Sequence, residues 1–133
     1  MLNESRVAIN SAADIVTARQ KGRALAMELG FDGSSLTLIA TAISEIARNI
    51  VDHAKRGEIV LSSVHHRGSH GIVIVARDEG PGIRDVAQAM QYGYSTGKGL
   101  GVGLPGAKWL MDEFEIDTKA GKGTTITMRK WLP

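Results

Sequence analysis

Ser35-Leu-Thr-Leu-Ile-Ala-Thr-Ala-Ile-Ser-Glu-Ile-Ala-Arg-Asn-Ile-Val-Asp-His-Ala54 is the stretch that decides the architecture of this chain. Within it Ile39, Ala42, Ile43, Ile46, Ala47 and Ile50 recur at the i, i+3, i+4, i+7 spacing of an amphipathic helix, so one stripe of that helix must be buried. Glu45 and Asn49 are four residues apart and therefore neighbours on the helix surface, rotated off the stripe and able to look sideways into a cleft. Taken alone, a Glu and an Asn on a helix flank are ordinary solvated side chains, so the weight falls on what surrounds them.

Toward the N-terminus, Arg6 to Asn10 alternates Val7 and Ile9 with polar neighbours, which predicts a short strand. Ser11-Ala-Ala-Asp14 then has the form of a capping box, followed by Ile15, Ala18, Gly22, Leu25 and Leu29 at helical spacing, with Gly30 as the stop. Toward the C-terminus, Glu58 to Val64 and Ile72 to Asp78 read as two strands joined by the polar loop His65 to Gly71. Leu104 to Met111 is a helix with Pro105 in its first turn, and Phe114 to Lys119 and Thr124 to Trp131 form a closing hairpin around Ala120-Gly-Lys-Gly123. Between these parts, Gly80 to Gly103 holds seven glycines and room for a short helix at Asp85 to Tyr92.

The order β-α-α-β-β-(α)-α-β-β is that of an α/β sandwich of the α+β class, with helices covering one face of a mixed, mostly antiparallel sheet. At 133 residues, with no repeat or linker, the expected organisation is one domain spanning 1–133.

Sixteen basic and 14 acidic residues leave a formal charge of +2, which gives no dense basic surface, so nucleic acid is not an expected partner. The absence of cysteine excludes disulfides, thiolate metal sites and cysteine nucleophiles. The aliphatic run Ile72 to Ala76 is too short to cross a bilayer and the N-terminus lacks a signal pattern, so a cytoplasmic location without membrane partners is expected. His66 and His70 share a helical spacing but fall in the expected hairpin loop without a carboxylate cluster, which favours surface residues over metal ligands.

Asp78 ends an apolar strand and enters Glu79-Gly-Pro-Gly82, a tight turn whose glycines let a flat ring approach the backbone. A carboxylate held there accepts from the exocyclic amine of adenine, and would face a carbonyl oxygen if guanine took its place. The plainer alternative is a turn and nothing more. Gly99-Leu-Gly-Val-Gly103 immediately precedes a helix and presents bare amides and a helix dipole to an anion, which points to phosphate. Two familiar phosphate motifs are excluded. Gly101-Val-Gly-Leu-Pro-Gly106 matches the dinucleotide pattern by letters but has no preceding strand, and Gly93-Tyr-Ser-Thr-Gly-Lys98 is one residue short of a P-loop, with Gly99 in place of the metal-binding hydroxyl.

Taken in order, Glu45-Ile-Ala-Arg-Asn49, Asp78-Glu-Gly-Pro-Gly82, Gly99-Leu-Gly-Val-Gly103 and Gly121-Lys-Gly-Thr124 resemble the four boxes of the GHKL, or Bergerat-fold, ATPases. No single box is specific; four in register are. The length, without dimerisation helices or a phosphoacceptor histidine domain, resembles the small anti-sigma-factor serine kinases. Ala42-Ile-Ser-Glu-Ile-Ala-Arg-Asn49, Gly99-Leu-Gly-Val-Gly-Leu-Pro-Gly106, Leu110-Met-Asp-Glu-Phe114 and Lys130-Trp131 are similar to the switch kinases of bacterial stress-response modules.

The resemblance covers nearly the whole chain and implies an ATP- and Mg2+-dependent serine/threonine kinase. Its expected partners are STAS-domain antagonist proteins of the stressosome as substrates and a PP2C-type phosphatase that the freed kinase activates. Carried over by position, Glu45 is the catalytic base, Asn49 the magnesium ligand and Asp78 the adenine contact, with Gly80, Gly82 and Thr124 supporting the adenine pocket. Gly99, Gly101, Val102, Gly103 and Leu104 close over the phosphates. Lys98 in the lid neutralises the terminal phosphate or is simply a solvated lysine. Arg19 sits where related anti-sigma kinases contact a protein partner, or is an exposed helix arginine. The lid Tyr94-Ser-Thr-Gly-Lys-Gly99 is shorter than in many sensor kinases. Two other readings remain beside this one: an ATP-binding partner-switching module without catalysis, and the catalytic piece of a histidine kinase.

Overall fold

Apolar side chains alternating with polar ones build a five-stranded sheet in the computed structural model, which describes residues 4–83, 90 and 103–133. The elements are β1 (Ser5–Ile9), α1 (Ala12–Leu29), α2 (Gly33–His53), β2 (Gly57–His66), β3 (Ser69–Asp78), α3 (Gly103–Leu110), β4 (Glu113–Lys119) and β5 (Gly123–Trp131). The short helix expected at Asp85 to Tyr92 falls outside the described residues, Met90 excepted.

Strand order is β1-β2-β3-β5-β4, and every pairing among the described strands is antiparallel, where a mixed sheet was expected. The reason lies in the connection from β1 to β2. Two consecutive helices carry the chain along the sheet and back, so β2 starts at the end where β1 stopped; a single crossover helix would have made the pair parallel.

α1 and α3 both pack against α2, and the helical layer covers one face of the sheet. Val7, Ile9, Ile59, Leu61, Ile72, Ile74, Ala76, Ile126 and Met128 are buried, as the period of two along a strand requires for one covered face. The other face carries Arg6, Arg77 and Glu58 in one ion-pair group and Arg129 with Glu113 and Glu115 in another.

α2 is the axis of the core: Ile39, Ala42, Ile43, Ile46, Ala47 and Ile50 are each at most 1% exposed. Burial that complete stabilises by roughly 1.5–3 kcal/mol per large aliphatic side chain. α1 starts as the sequence indicates, with the Asp14 carboxylate accepting from the backbone amides of Ser11 (3.1 Å) and Asn10 (2.8 Å). It ends at Gly30, whose φ of 107° is the left-handed conformation, with Phe31 N–H donating back to the Ala26 carbonyl.

The polar stretch His65 to Gly71, expected as a loop, is mostly strand. Pairing continues through His65 with His70 and His66 with Ser69, leaving Arg67 (φ 51°) and Gly68 (φ 81°) as a two-residue turn. Positive φ at both positions suits the twist of an antiparallel hairpin. Ladder bonds are made by backbone, so polar side chains at a solvated hairpin end do not interrupt them; the His65 and His70 rings stack across the strands at 4.3 Å. Among the described residues, no helix is long and apolar enough to cross a membrane.

Candidate functional site

At one end of the sheet the register places Gly57, Asp78, Thr124 and Thr118 in a single cross-strand row over β2, β3, β5 and β4. The next row inward is Ile59, Ala76, Ile126 and Ile116, an apolar floor in which Ala76 is the small member. Side chains two apart on a strand share a face, so the polar row lies on the same face as the buried floor. The sequence placed Asp78 and Thr124 in one site; the register puts them directly opposite each other.

Asp78 is held by its own turn: Oδ1 accepts from Gly80 N–H at 2.9 Å, and Oδ2 has no partner among the described residues. Thr124, 4% exposed, lies 2.9 Å from Thr118 through their hydroxyl oxygens. Thr118 Oγ1 also reaches the Gly123 carbonyl at 3.2 Å and accepts from Ile83 N–H at 2.9 Å. A threonine has one hydroxyl proton. With that proton on the Gly123 carbonyl, Thr118 accepts from Thr124, and the Thr124 oxygen keeps its lone pairs.

Close backbone approach shapes the rest of the row. Gly82 has φ of 78°, and a Cβ there would meet the Lys119 carbonyl oxygen, while Gly121 N–H donates to the Pro81 carbonyl at 2.7 Å. The turn after β3 is thus stapled to the turn between β4 and β5. A Cβ on Gly80 would stand 2.6 Å from Ala54 Cβ, which sets the same turn against the C-terminal end of α2. A Cβ on Gly57 would first meet the Arg77 carbonyl oxygen of the neighbouring strand, then Ile50 Cγ2 at 3.0 Å and Asp78 Cβ at 3.2 Å. Ile50 follows Asn49 directly, so the end of α2 that carries Asn49 meets the row.

Glu45, expected to look sideways into a cleft, is only 8% exposed, with the sheet, α1 and α3 packed around α2. A carboxylate at that depth needs a partner. Arg48 Nη1 supplies it, donating to Glu45 Oε2 at 3.3 Å. Asn49 is half-buried. Among the described residues the buried polar or charged side chains are Ser44, Glu45 and Thr124, and Ser44 is accounted for by its 2.9 Å bond to the Ala40 carbonyl.

Gly103 and Leu104 open α3, which packs on α2, so the helix start after the glycine loop belongs to the layer that carries Glu45 and Asn49. Lys98, Gly99, Gly101 and Val102 lie outside the described residues, as does the lid Tyr94 to Gly99. Arg19 is exposed on α1. Three participants in this geometry were not singled out from the sequence: Gly57, Thr118 and Arg48. Thr118 was within reach, since it and Thr124 flank the Ala120 to Gly123 turn and must pair if the hairpin closes there.

Asp78 Oδ2 is an acceptor suited to an exocyclic amine, beside the buried apolar row of Ala76 and Ile126, and the glycines let the backbone of the surrounding turns approach closely. Comparison with known proteins agrees. The family model described as histidine kinase-like ATPase domain matches residues 9–130. The chain is 51% identical over 132 residues to the serine/threonine-protein kinase RsbT of Bacillus subtilis (strain 168), across 99% of each chain. It is 33% identical over 119 residues to an anti-sigma F factor of Caldanaerobacter subterraneus subsp. tengcongensis, across 86% of this chain and 83% of that one. The crystal structure of the RsbU and RsbW domains of Rv1364c from Mycobacterium tuberculosis superposes with a TM-score of 0.61 at 24% identity, over 98% of this chain and 32% of that one, a likeness of fold. The enzyme class is that of an ATP-using serine/threonine protein kinase, and the chain belongs to the histidine kinase-like ATPase domain family.

Proposed function

We propose that this kinase is the switch of a bacterial stress-response module. It phosphorylates a serine or threonine on STAS-domain antagonist proteins of the stressosome and, once released from them, activates a PP2C-type phosphatase. A cytoplasmic location is part of this reading. The observation that carries the catalytic part is Glu45, an ionisable side chain 8% exposed on the core helix, four residues from Asn49. A pure binding pocket has no need of a carboxylate kept in so costly a place. The relationship to RsbT and to an anti-sigma F factor supports partner switching as its setting.

Asp78 selects adenine by accepting from its exocyclic amine, over the floor of Ala76 and Ile126, with Thr124 turned toward the ring edge. Gly80 and Gly82 keep the rim open. Gly99, Gly101, Val102, Gly103 and Leu104, with Lys98, hold the phosphates. The donor set fits magnesium, a hard ion that takes few protein oxygens and otherwise prefers phosphate and water. Asn49 would hold it through the amide oxygen, and when bound it supplies neutralisation of phosphate charge. Glu45 accepts the proton of the partner's hydroxyl as that oxygen bonds to the γ-phosphorus. The bond from the γ-phosphorus to its bridging oxygen breaks, ADP leaves with the electron pair, and the proton stays on Glu45 until solvent removes it.

The test is to incubate the protein with ATP radiolabelled on its γ-phosphate and a purified STAS-domain protein. The wild type should place acid-stable label on serine or threonine, and Glu45→Ala should bind ATP yet lose all but a residual rate of transfer. Full transfer by Glu45→Ala sinks the base assignment. An ATP-dependent complex without label marks a binding module instead, and acid-labile phosphohistidine marks a histidine kinase.

A further inference from the structure

We propose that Arg48 is a positioning residue for phosphotransfer, holding Glu45 so that one carboxylate oxygen faces the incoming hydroxyl. This rests on the reading of Glu45 as the base. Glu45 and Arg48 stand three residues apart on α2 and so share a face of that helix. Among the described residues the contact is a single hydrogen bond from Nη1 to Oε2 at 3.3 Å, not a two-point fork, so Oε2 is engaged and Oε1 has no partner there. Arg48 bridges the interior and the surface: its side chain is 33% exposed against 8% for Glu45.

No other described side chain does this work. Arg19, Lys21 and Arg23 on α1 and Lys108 on α3, the cations of the helices beside α2, form no ion pair with Glu45 among the described residues. A glutamate has three side-chain torsions, and a general base must lie within hydrogen-bond reach of the proton it takes. Anchoring one oxygen fixes the other. The planar guanidinium does so directionally, as the rotating ammonium of a lysine does not.

The experiment is steady-state kinetics of the full chain with ATP and a purified STAS-domain protein that the wild type phosphorylates, for Arg48→Gln, Arg48→Lys, Glu45→Ala and the double variant Glu45→Ala with Arg48→Gln. Arg48→Gln should lower kcat roughly 10- to 100-fold, the scale of a misplaced reacting group, with the ATP KM unchanged. Arg48→Lys should recover part of the rate, and ethylguanidinium added to Arg48→Ala should recover more. The double variant should be no slower than Glu45→Ala alone, because a residue acting through Glu45 has nothing left to position.

An unchanged kcat in Arg48→Gln overturns the proposal, as does a loss confined to the ATP KM, which would make Arg48 a nucleotide ligand. If Arg48→Gln folds poorly, the guanidinium rescue decides: no recovery in a folded Arg48→Ala protein overturns the positioning role. Failure of the underlying reading looks different, since Glu45→Ala would then transfer phosphate at the wild-type rate.

Discussion

Replacing Asp78 by Asn tests base recognition with little disturbance of the fold. One Asp78 oxygen takes the Gly80 amide at 2.9 Å, and in the proposed site the other would accept from the base. An asparagine can perform only one of these acceptor tasks, because its second head atom is a donor. The Gly80 bond is local and always present, so the Asn oxygen stays there and its NH2 is presented to the exocyclic amine of adenine. A charge-assisted hydrogen bond of about 1.5–3 kcal/mol is lost, and two donors meet where an acceptor met a donor.

At about 1.4 kcal/mol per factor of ten, a loss of roughly 2–3 kcal/mol weakens ATP binding about 30- to 150-fold. The same NH2 matches the carbonyl oxygen of guanine, so GTP binding should tighten and the ATP-to-GTP preference collapse or invert. Isothermal titration calorimetry with non-hydrolysable ATP and GTP analogues measures both. Thermal unfolding should stay within a few degrees of wild type because the turn keeps its capping bond. If Asp78→Asn binds ATP within threefold of the wild type and still rejects GTP, the carboxylate does not read the base.

Three further outcomes are expected. Asn49→Ala should lose the magnesium-dependent part of ATP affinity, at least about tenfold in the presence of the metal, while matching the wild type in excess chelator. Gly82→Ala imposes a Cβ at φ of 78° against the Lys119 carbonyl, so it should cost about 1–3 kcal/mol in urea titration and weaken ATP binding as well. Asp14→Ala removes the carboxylate that receives the Ser11 and Asn10 amides, so it should cost ~1 kcal/mol of stability. ATP affinity should not change, and a change would link the start of α1 to the site.

What could be read from the sequence depended on how local its cause was. The stripe on α2 and the capping box at Ser11 are set by spacing within a few residues, and both stand in the structure where they were expected. The hairpin between β2 and β3 was misjudged because polar composition suggested a loop, whereas the backbone ladder ran on to a turn of two residues at Arg67 and Gly68. Gly57 could not be found for a different reason, and Thr118 could be found only by fixing how its hairpin closes. Each matters only through its cross-strand partner, Asp78 for the first and Thr124 for the second, and pairing register is not written at either position alone. Arg48 was read as one letter of a motif, and its pairing with Glu45 shows only once α2 is enclosed.

The two halves of the site are therefore held by different devices. Asp78, Thr124 and Thr118 share one face because three strands keep one register, and a slip of one residue between β4 and β5 would turn Thr118 to the face opposite Thr124. Glu45 and Asn49 are placed by the Ile stripe, which fixes the rotation of α2 against the sheet and which no strand register can alter. They meet where Ile50 and Asp78 crowd the missing side chain of Gly57 and where Gly80 touches Ala54. A side chain at either glycine would push the helix end and the strand end apart, changing the span between base-reading and proton-accepting groups while leaving each intact. In the proposed site those two glycines would thus help to set the span between Asp78 and Glu45.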